Sequence, residues 1–507
     1  MQIIEPYREE LLMEELHMAQ EEARIDRDAI SDEYTTILCN KKPSVWGARG
    51  IIFSIFFVVG LVQSYQQSII LDLQEKGASY NDQAVFSLVA YPYIAKIFQA
   101  PFVDAYFSNN IGKCKTYIVS ASIILSICLL AISPFADGMA TPQNVVGLTC
   151  LWAFINIVAI FIQIAGEMWI LKIFEGEDKG KGSVILDIGT SVGYFFGYNL
   201  FVPLNSVKWL NEYMYSSNPR TEPLVKDWHL MLFMAVFTLL LGVITLLFVA
   251  EKIIESSHGD LCKVLRILPR FFTTDNVLKL IIMMACSRIF RNIFTEVLGL
   301  QFLDAGLPKT TVVSIGTITF PVYIIVSIFM MRYLVKGKIM TFFYWMNHAA
   351  TLSMLVRYFA LLDLRYLKNQ TRTITFLYII TSLENFMMDG SFLMGYLNHI
   401  APEEFGSTFM TFMMCWYNAD NSIPSTIGLK LVNNGYVSFD IMFILSILAQ
   451  LVVTYLWRDY CYDLDTRDKS YFSFEREYQG NNSNAIEPNP SPNTTVEPDE
   501  TFEQNIL

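Results

Sequence analysis

Residues 229–250 read HLMLFMAVFTLLLGVITLLFVA, 22 residues without one Asp, Glu, Lys or Arg. About 20 such residues, coiled as a helix, cross the hydrocarbon core of a bilayer. The stretch therefore reads as a transmembrane helix, and comparable stretches recur along the chain. Before it they lie at 50–70, 83–103, 116–135, 145–173 and 183–203; after it they lie at 277–302, 310–334, 339–363, 373–399, 407–431 and 436–457. The expectation is an all-α membrane protein of twelve spans. Between the sixth and seventh lies 251–276, with Lys252, Lys263, Arg266, Arg270 and a short amphipathic stretch from Leu261 to Phe272. This polar break divides the chain six and six.

Composition agrees with that reading. The 507 residues are 53% hydrophobic and 17% charged, against roughly 25% charged in soluble domains, and the mean hydropathy is +0.38. Soluble enzymes, nucleic-acid binders and disulfide-stapled secreted domains are disfavoured. The net charge of −12 sits in the tails: 1–45 holds 11 acidic against 5 basic residues and 458–507 holds 11 against 4. Acidic, polar ends of this kind read as solvated. The chain is expected to comprise an acidic cytosolic tail (1–46), a six-helix bundle (47–250), a central cytosolic loop (251–276), a second six-helix bundle (277–457) and an acidic disordered cytosolic tail (458–507). Residues 1–45 lack the apolar core of a signal peptide, so the first span is expected to serve as its own insertion signal. The 8 cysteines show no metal-site or disulfide spacing.

Orientation follows the loop lysines and arginines. Loops after even-numbered spans hold twelve of them and loops after odd-numbered spans hold eight, and Lys41, Lys42 and Arg49 precede the first span. Both termini are thereby placed in the cytosol. In the fifth span Gly189, Gly193 and Gly197 share one helix face, which suits either a rocking seam or plain tight packing.

Ionisable residues inside spans are costly and face a cavity or a partner. The basic ones singled out are Lys96, Arg288 and Arg291; the acidic ones are Glu167, Asp187, Glu296, Glu384, Asp389 and Asp420. Arg288 and Arg291, three apart on a helix, would share a face, with Glu167 or Glu296 as acids that could tie them up. Gln163 and Glu167, four apart, point the same way. His348 beside Asn347 is the one pairing that would suit a membrane acyltransferase, as base and orienter. No motif for a cofactor, a metal or a nucleotide loop is present.

Several motifs in order resemble the acetyl-coenzyme A transporter family of the major facilitator superfamily. They are Ser79-Tyr80-Asn81-Asp82-Gln83-Ala84; Lys96 followed by Ala100-Pro101-Phe102-Val103-Asp104; Gly112-Lys113-Cys114-Lys115; Gly193-Tyr194-Phe195-Phe196-Gly197; Gly306-Leu307-Pro308-Lys309; and Gly406-Ser407-Thr408-Phe409-Met410-Thr411 with Asn418 and Pro424-Ser425-Thr426. Where the family shows two aspartates in span four, this chain has Gln163 and Glu167, and a family lysine in span seven is Arg288 here. The resemblance implies the major facilitator fold and import of cytosolic acetyl-CoA into the endoplasmic reticulum lumen by alternating access, with free CoA as exchange partner. Acetyl-CoA carries several phosphate charges, so its site requires cations. Lys96 and Arg288 would supply them, with Gln163, Glu167, Tyr194, Thr408, Thr411 and Asn418 as further substrate-binding residues. Asp104, Gly112, Lys113 and Lys115 would act in gating. The implied partners are acetyl-CoA and the lipid bilayer, with no cofactor and no nucleic acid, and a homodimer is compatible. Two alternatives stay open: a proton-coupled carrier of another anionic metabolite or peptide, and an acyltransferase using His348.

Overall fold

A computed structural model describes residues 45–108, 110–173, 179–249, 251, 274–330, 338–384, 389–401, 406–434, 438–467 and 469–472. Among them every element is helical. In chain order they are α1 (Val45–Glu75), α2 (Tyr80–Ser87), α3 (Tyr91–Ile94), α4 (Ala100–Ala105), α5 (Lys113–Ile132), α6 (Val145–Ile173), α7 (Lys179–Tyr194), α8 (Phe201–Asn205), α9 (Val207–Tyr213) and α10 (Asp227–Phe248). Then follow α11 (Asp275–Cys286), α12 (Ile289–Ile293), α13 (Thr295–Asp304), α14 (Lys309–Met330), α15 (Ile339–Leu367), α16 (Gln370–Glu384), α17 (Asp389–Ile400), α18 (Gly406–Asn434), α19 (Phe439–Leu456) and α20 (Arg458–Leu464). Both acidic tails, apart from a few residues at their inner ends, and most of the central loop with its amphipathic stretch lie outside the described residues.

Among the described residues six helical segments are long and apolar enough to cross a membrane: Arg49–Glu75, Lys113–Phe135, Pro142–Ile170, Asp227–Phe248, Lys309–Val326 and Phe439–Leu456. Each coincides with a span expected from the sequence. On α10, Phe233, Val236, Leu240 and Leu247 point outward, as do Ile441, Leu445, Leu448 and Val452 on α19. In water such faces would be a liability; against lipid they are the proper surface.

The other expected spans fall on helices that are interrupted or polar, and the interruptions have identifiable causes. The stretch 83–103 is broken into short pieces by 3-10 turns at Leu88–Ala90 and Ala95–Phe98, with Pro92 and Pro101 each in the first turn of a new helix. Proline lacks the N–H that a continuous helix needs. The stretch 183–203 runs from α7 through a π-helical turn, Phe195–Leu200, into α8. There Thr317 of α14 donates to the Asn199 carbonyl at 2.8 Å, satisfying a group that the irregular turn frees. The stretch 277–302 breaks at Ser287–Arg288 and again at Phe294, without proline or glycine.

Side chains from distant helices stabilise that last break. Gln450 of α19 accepts from the backbone N–H groups of Phe290 and Arg291 at 3.0 and 3.2 Å and donates to the Ser287 carbonyl at 2.5 Å. Asn347 of α15 donates to the same carbonyl at 2.7 Å, and Asn292 donates to the Asp420 carbonyl of α18 at 2.8 Å. Buried backbone without water must be satisfied in this way.

The three spaced glycines of α7 and its π turn face α1: a methyl on Gly193 would overlap the Phe57 carbonyl, and one on Gly197 would overlap Ser64. They serve close packing of neighbouring helices. Gly428 of α18 meets the Ile293 carbonyl at the span-seven break in the same manner. One core cluster draws almost entirely on residues 52–249, and two others draw mainly on 277–472. α18 packs against α2, α3 and the 3-10 turn at 95–98, while α14 packs against the π turn and α7.

Candidate functional site

The broken stretch 83–103 positions Lys96. Its 3-10 turn directs the side chain inward, where it is 0% exposed and its ammonium lies 3.2 Å from both carboxylate oxygens of Glu167 on α6. Gln163, one turn earlier on α6, donates to Glu167 Oε1 at 2.8 Å. Three sequence-selected residues thus form one node, with Cys415 of α18 lying against it. Lys96 does not snorkel to an interface.

Arg288 caps the broken helix start of α12. Its Nε donates to Asp420 Oδ2 at 3.0 Å, its Nη2 donates to the Tyr417 carbonyl at 3.3 Å, and its guanidinium lies 3.8 Å from the centre of the Tyr417 ring. Arg291 turns the other way and donates to Asn347 Oδ1 of α15 at 3.0 Å. This corrects two expectations. Arg288 stands outside helical geometry at the N-cap of α12 while Arg291 lies within it, so their side chains reach different helices, α18 and α15, and the acid that meets Arg288 is Asp420 rather than Glu167 or Glu296. Each of the two cations expected to receive phosphate is held by an acid in this conformation.

The remaining candidates are spread more widely. Asn418 donates to the Tyr93 carbonyl at 3.1 Å, joining α18 to α3. Thr408 and Thr411 are buried on α18. Tyr194 ends α7 with its ring 5.3 Å from that of Tyr198. Asp187 of α7 accepts from the Tyr323 hydroxyl of α14 at 2.6 Å. Gly112, Lys113 and Lys115 stand together at the start of α5. Gly112 has φ 104, and Glu251 accepts from the backbone N–H of Cys114 and Lys115 at 3.2 and 2.9 Å, a carboxylate at a helix N-terminus. Lys115 donates to the Val249 carbonyl at 2.8 Å, and Lys113 lies 5.9 Å from the centre of the Phe107 ring. The side chains of Asp104 and Asp389 lie outside the described residues. His348 meets Tyr344 at 3.1 Å, while Asn347 is committed to Arg291 and Ser287, so the base-and-orienter pair does not form.

Two groups escaped the sequence reading. Arg357 of α15 pairs with Glu384 of α16, which also accepts from Ser353 at 2.6 Å. Arg357 and Arg291 line a cavity of about 420 Å³ together with Phe302, Ile315 and Thr381, within the ~300–1,000 Å³ of small-molecule pockets. Arg357 lies inside the span 339–363, so the rule that selected Arg288 applies to it equally. The second group joins the ends of α1 and α14: Lys309 pairs with Asp72 at 2.8 Å and with Glu75, and Tyr80 donates to Asp304 at 2.5 Å. Burial and the Asp304 bond hold the Tyr80 hydroxyl above its ordinary pKa, so it stays a donor.

Compared with known proteins, residues 55–258 match the family described as Acetyl-coenzyme A transporter 1. The family resemblance of the sequence is met there. An uncharacterised protein of Schizosaccharomyces pombe is 23% identical over 262 residues, covering 51% of this chain and 49% of that protein. An uncharacterised membrane protein of Saccharomyces cerevisiae is 24% identical over 155 residues, covering 27% and 28%. The chain thus spans about half the length of the first relative and less of the second. The solved structure of the major facilitator superfamily transporter FucP, in the outward conformation, superposes with a TM-score of 0.54 at 12% identity, covering 82% of this chain and 98% of that one. The fold is that of the major facilitator superfamily. The protein is a multi-pass membrane protein, and the family matched over 55–258 and the superposed structure are both described as transporters.

Proposed function

We propose that the protein carries acetyl-CoA from the cytosol into the endoplasmic reticulum lumen, in exchange for free CoA. Two six-helix halves, 47–250 and 277–457, would alternate access to a site between them, with both termini cytosolic. The observation that carries the reading is the family match over 55–258. Chemistry supports it: Lys96 and Arg288 are buried cations beside α18, suited to phosphate once released from Glu167 and Asp420. In this reading the acids hold the cations while the site is empty, and substrate phosphates take their place. The Lys309–Asp72 and Tyr80–Asp304 contacts would close the lumenal end.

The test is reconstitution of the full chain in liposomes with labelled acetyl-CoA outside and unlabelled CoA inside. Saturable uptake that rises with internal CoA is expected. Absence of uptake, with the protein folded and inserted in both orientations, overturns the proposal.

A further inference from the structure

The acids of the interior differ in one respect. Glu167 meets Lys96, Asp420 meets Arg288 and Glu384 meets Arg357. Glu296, in the first turn of α13, makes no ion pair or hydrogen bond among the described residues. Its carboxyl lines a polar cavity of about 60 Å³ with Gln66 of α1, Gln83 and Ser87 of α2, and Asn421 and Ser422 of α18. That volume admits a few waters. The cavity lies on the seam between elements of the first and second parts of the chain. Ser87 and Thr426 hydrogen-bond across it at 2.7 Å.

Among the described residues the groups packed around α13 leave this carboxyl without a cation. Among the described residues Tyr194 and Tyr198 are the titratable groups that interact with it. Asp420 of α18 turns to Arg288, Arg291 of α12 to Asn347, Arg357 of α15 to Glu384, and Lys309 of α14 to Asp72. Glu296 is half-buried, and an ionised carboxylate partly withdrawn from water with no cation beside it is costly in a membrane interior. A carboxylic acid, by contrast, can donate to a glutamine or a water.

We infer that Glu296 is a proton-binding site that couples movement of the seam to proton uptake. One proton passes from water on one side onto a Glu296 oxygen as the seam closes, and leaves to water on the other side as it opens; no other bond changes. The inference rests on the alternating-access reading and does not depend on the substrate being acetyl-CoA.

The experiment has two arms. In the first, the melting temperature of the full chain in lipid nanodiscs is read at pH 5.5 and pH 8.5 without substrate. Glu296→Gln, a mimic of the protonated form, should melt like wild type at the acid pH and roughly 2–4 °C above it at the alkaline pH. Glu296→Asp, which keeps the acid, should retain the wild-type pH dependence. Equal pH dependence in wild type and Glu296→Gln overturns the inference, as does its loss in Glu296→Asp. In the second arm, liposomes carrying a pH-reporting dye receive labelled acetyl-CoA. Wild-type uptake should respond to an imposed pH gradient, whereas Glu296→Gln should exchange label at equilibrium without that response. A response to sodium instead of protons overturns the inference. Absence of acetyl-CoA uptake beside a positive first arm removes the substrate reading and leaves the proton site standing.

Discussion

Lys96 sits on a 3-10 turn with its ammonium 3.2 Å from both oxygens of Glu167, whereas Arg288 stands at a helix break with one nitrogen 3.0 Å from Asp420 and its plane on Tyr417. The first is a compact charge held from both sides of one carboxylate, with Gln163 donating to the same acid. The second is a flat cation shared among a carboxylate, a carbonyl and a ring, on backbone held by side chains of α15 and α19. The first node is built into close-packed helices. The second rests on several long-range hydrogen bonds that share one backbone break. On this account the Lys96 node anchors and the Arg288 node adapts, and substitutions at the two should differ in kind.

The largest effect is expected at the anchor. Lys96→Ala leaves Glu167 buried and uncompensated, a loss of about 3–5 kcal/mol, visible as a collapse of the melting temperature in detergent. The double variant Lys96→Met with Glu167→Leu should recover most of that stability and still fail to take up acetyl-CoA. Next come the glycines that fix each region. Gly193→Ala drives a methyl into the Phe57 carbonyl and Gly428→Ala drives one into the Ile293 carbonyl, each costing about 1–3 kcal/mol as overpacking. If the second region adapts, Gly428→Ala should cost less of the melting temperature than Gly193→Ala and more of the uptake. Equal effects on both measures would break the comparison.

Smaller still is Arg288→Lys, which keeps the charge and loses the stack and the fork, about 1–2 kcal/mol. Its melting temperature should shift by a few degrees while uptake falls about tenfold. The smallest effect belongs to the partly exposed Lys309–Asp72 pair. Lys309→Ala should change stability by less than about 1 kcal/mol and reveal itself through faster labelling of a cysteine placed beside the junction of α1 and α14.

Much of this was legible in the chain, and the remainder was illegible for physical reasons. Long apolar runs announce α1, α5, α6, α10, α14 and α19, because lipid demands that pattern over about 20 residues. The fracture of 83–103 is written in Pro92 and Pro101. The fracture at 287–294 is not written locally, since the side chains that bond its backbone, Asn347 and Gln450, lie 60 and 163 residues from Ser287. The same distance hid the partners of the buried charges. Residue type and depth marked Lys96, Glu167 and Arg288, but only folding shows that Asp420, 132 residues along, meets Arg288. Gln450 escaped because attention to formal charge passes over a neutral amide, and Arg357 was missed although it obeys the same rule as Arg288.

The most direct measurement is equilibrium binding of labelled acetyl-CoA to the purified chain and to two charge-neutral doubles, Lys96→Met with Glu167→Leu and Arg288→Gln with Asp420→Asn. Each double removes a cation together with its acid, so neither leaves a stranded charge. The account predicts that both fold and that each weakens binding at least tenfold, about 1.4 kcal/mol. Two folded doubles that bind acetyl-CoA as tightly as the natural chain would contradict it.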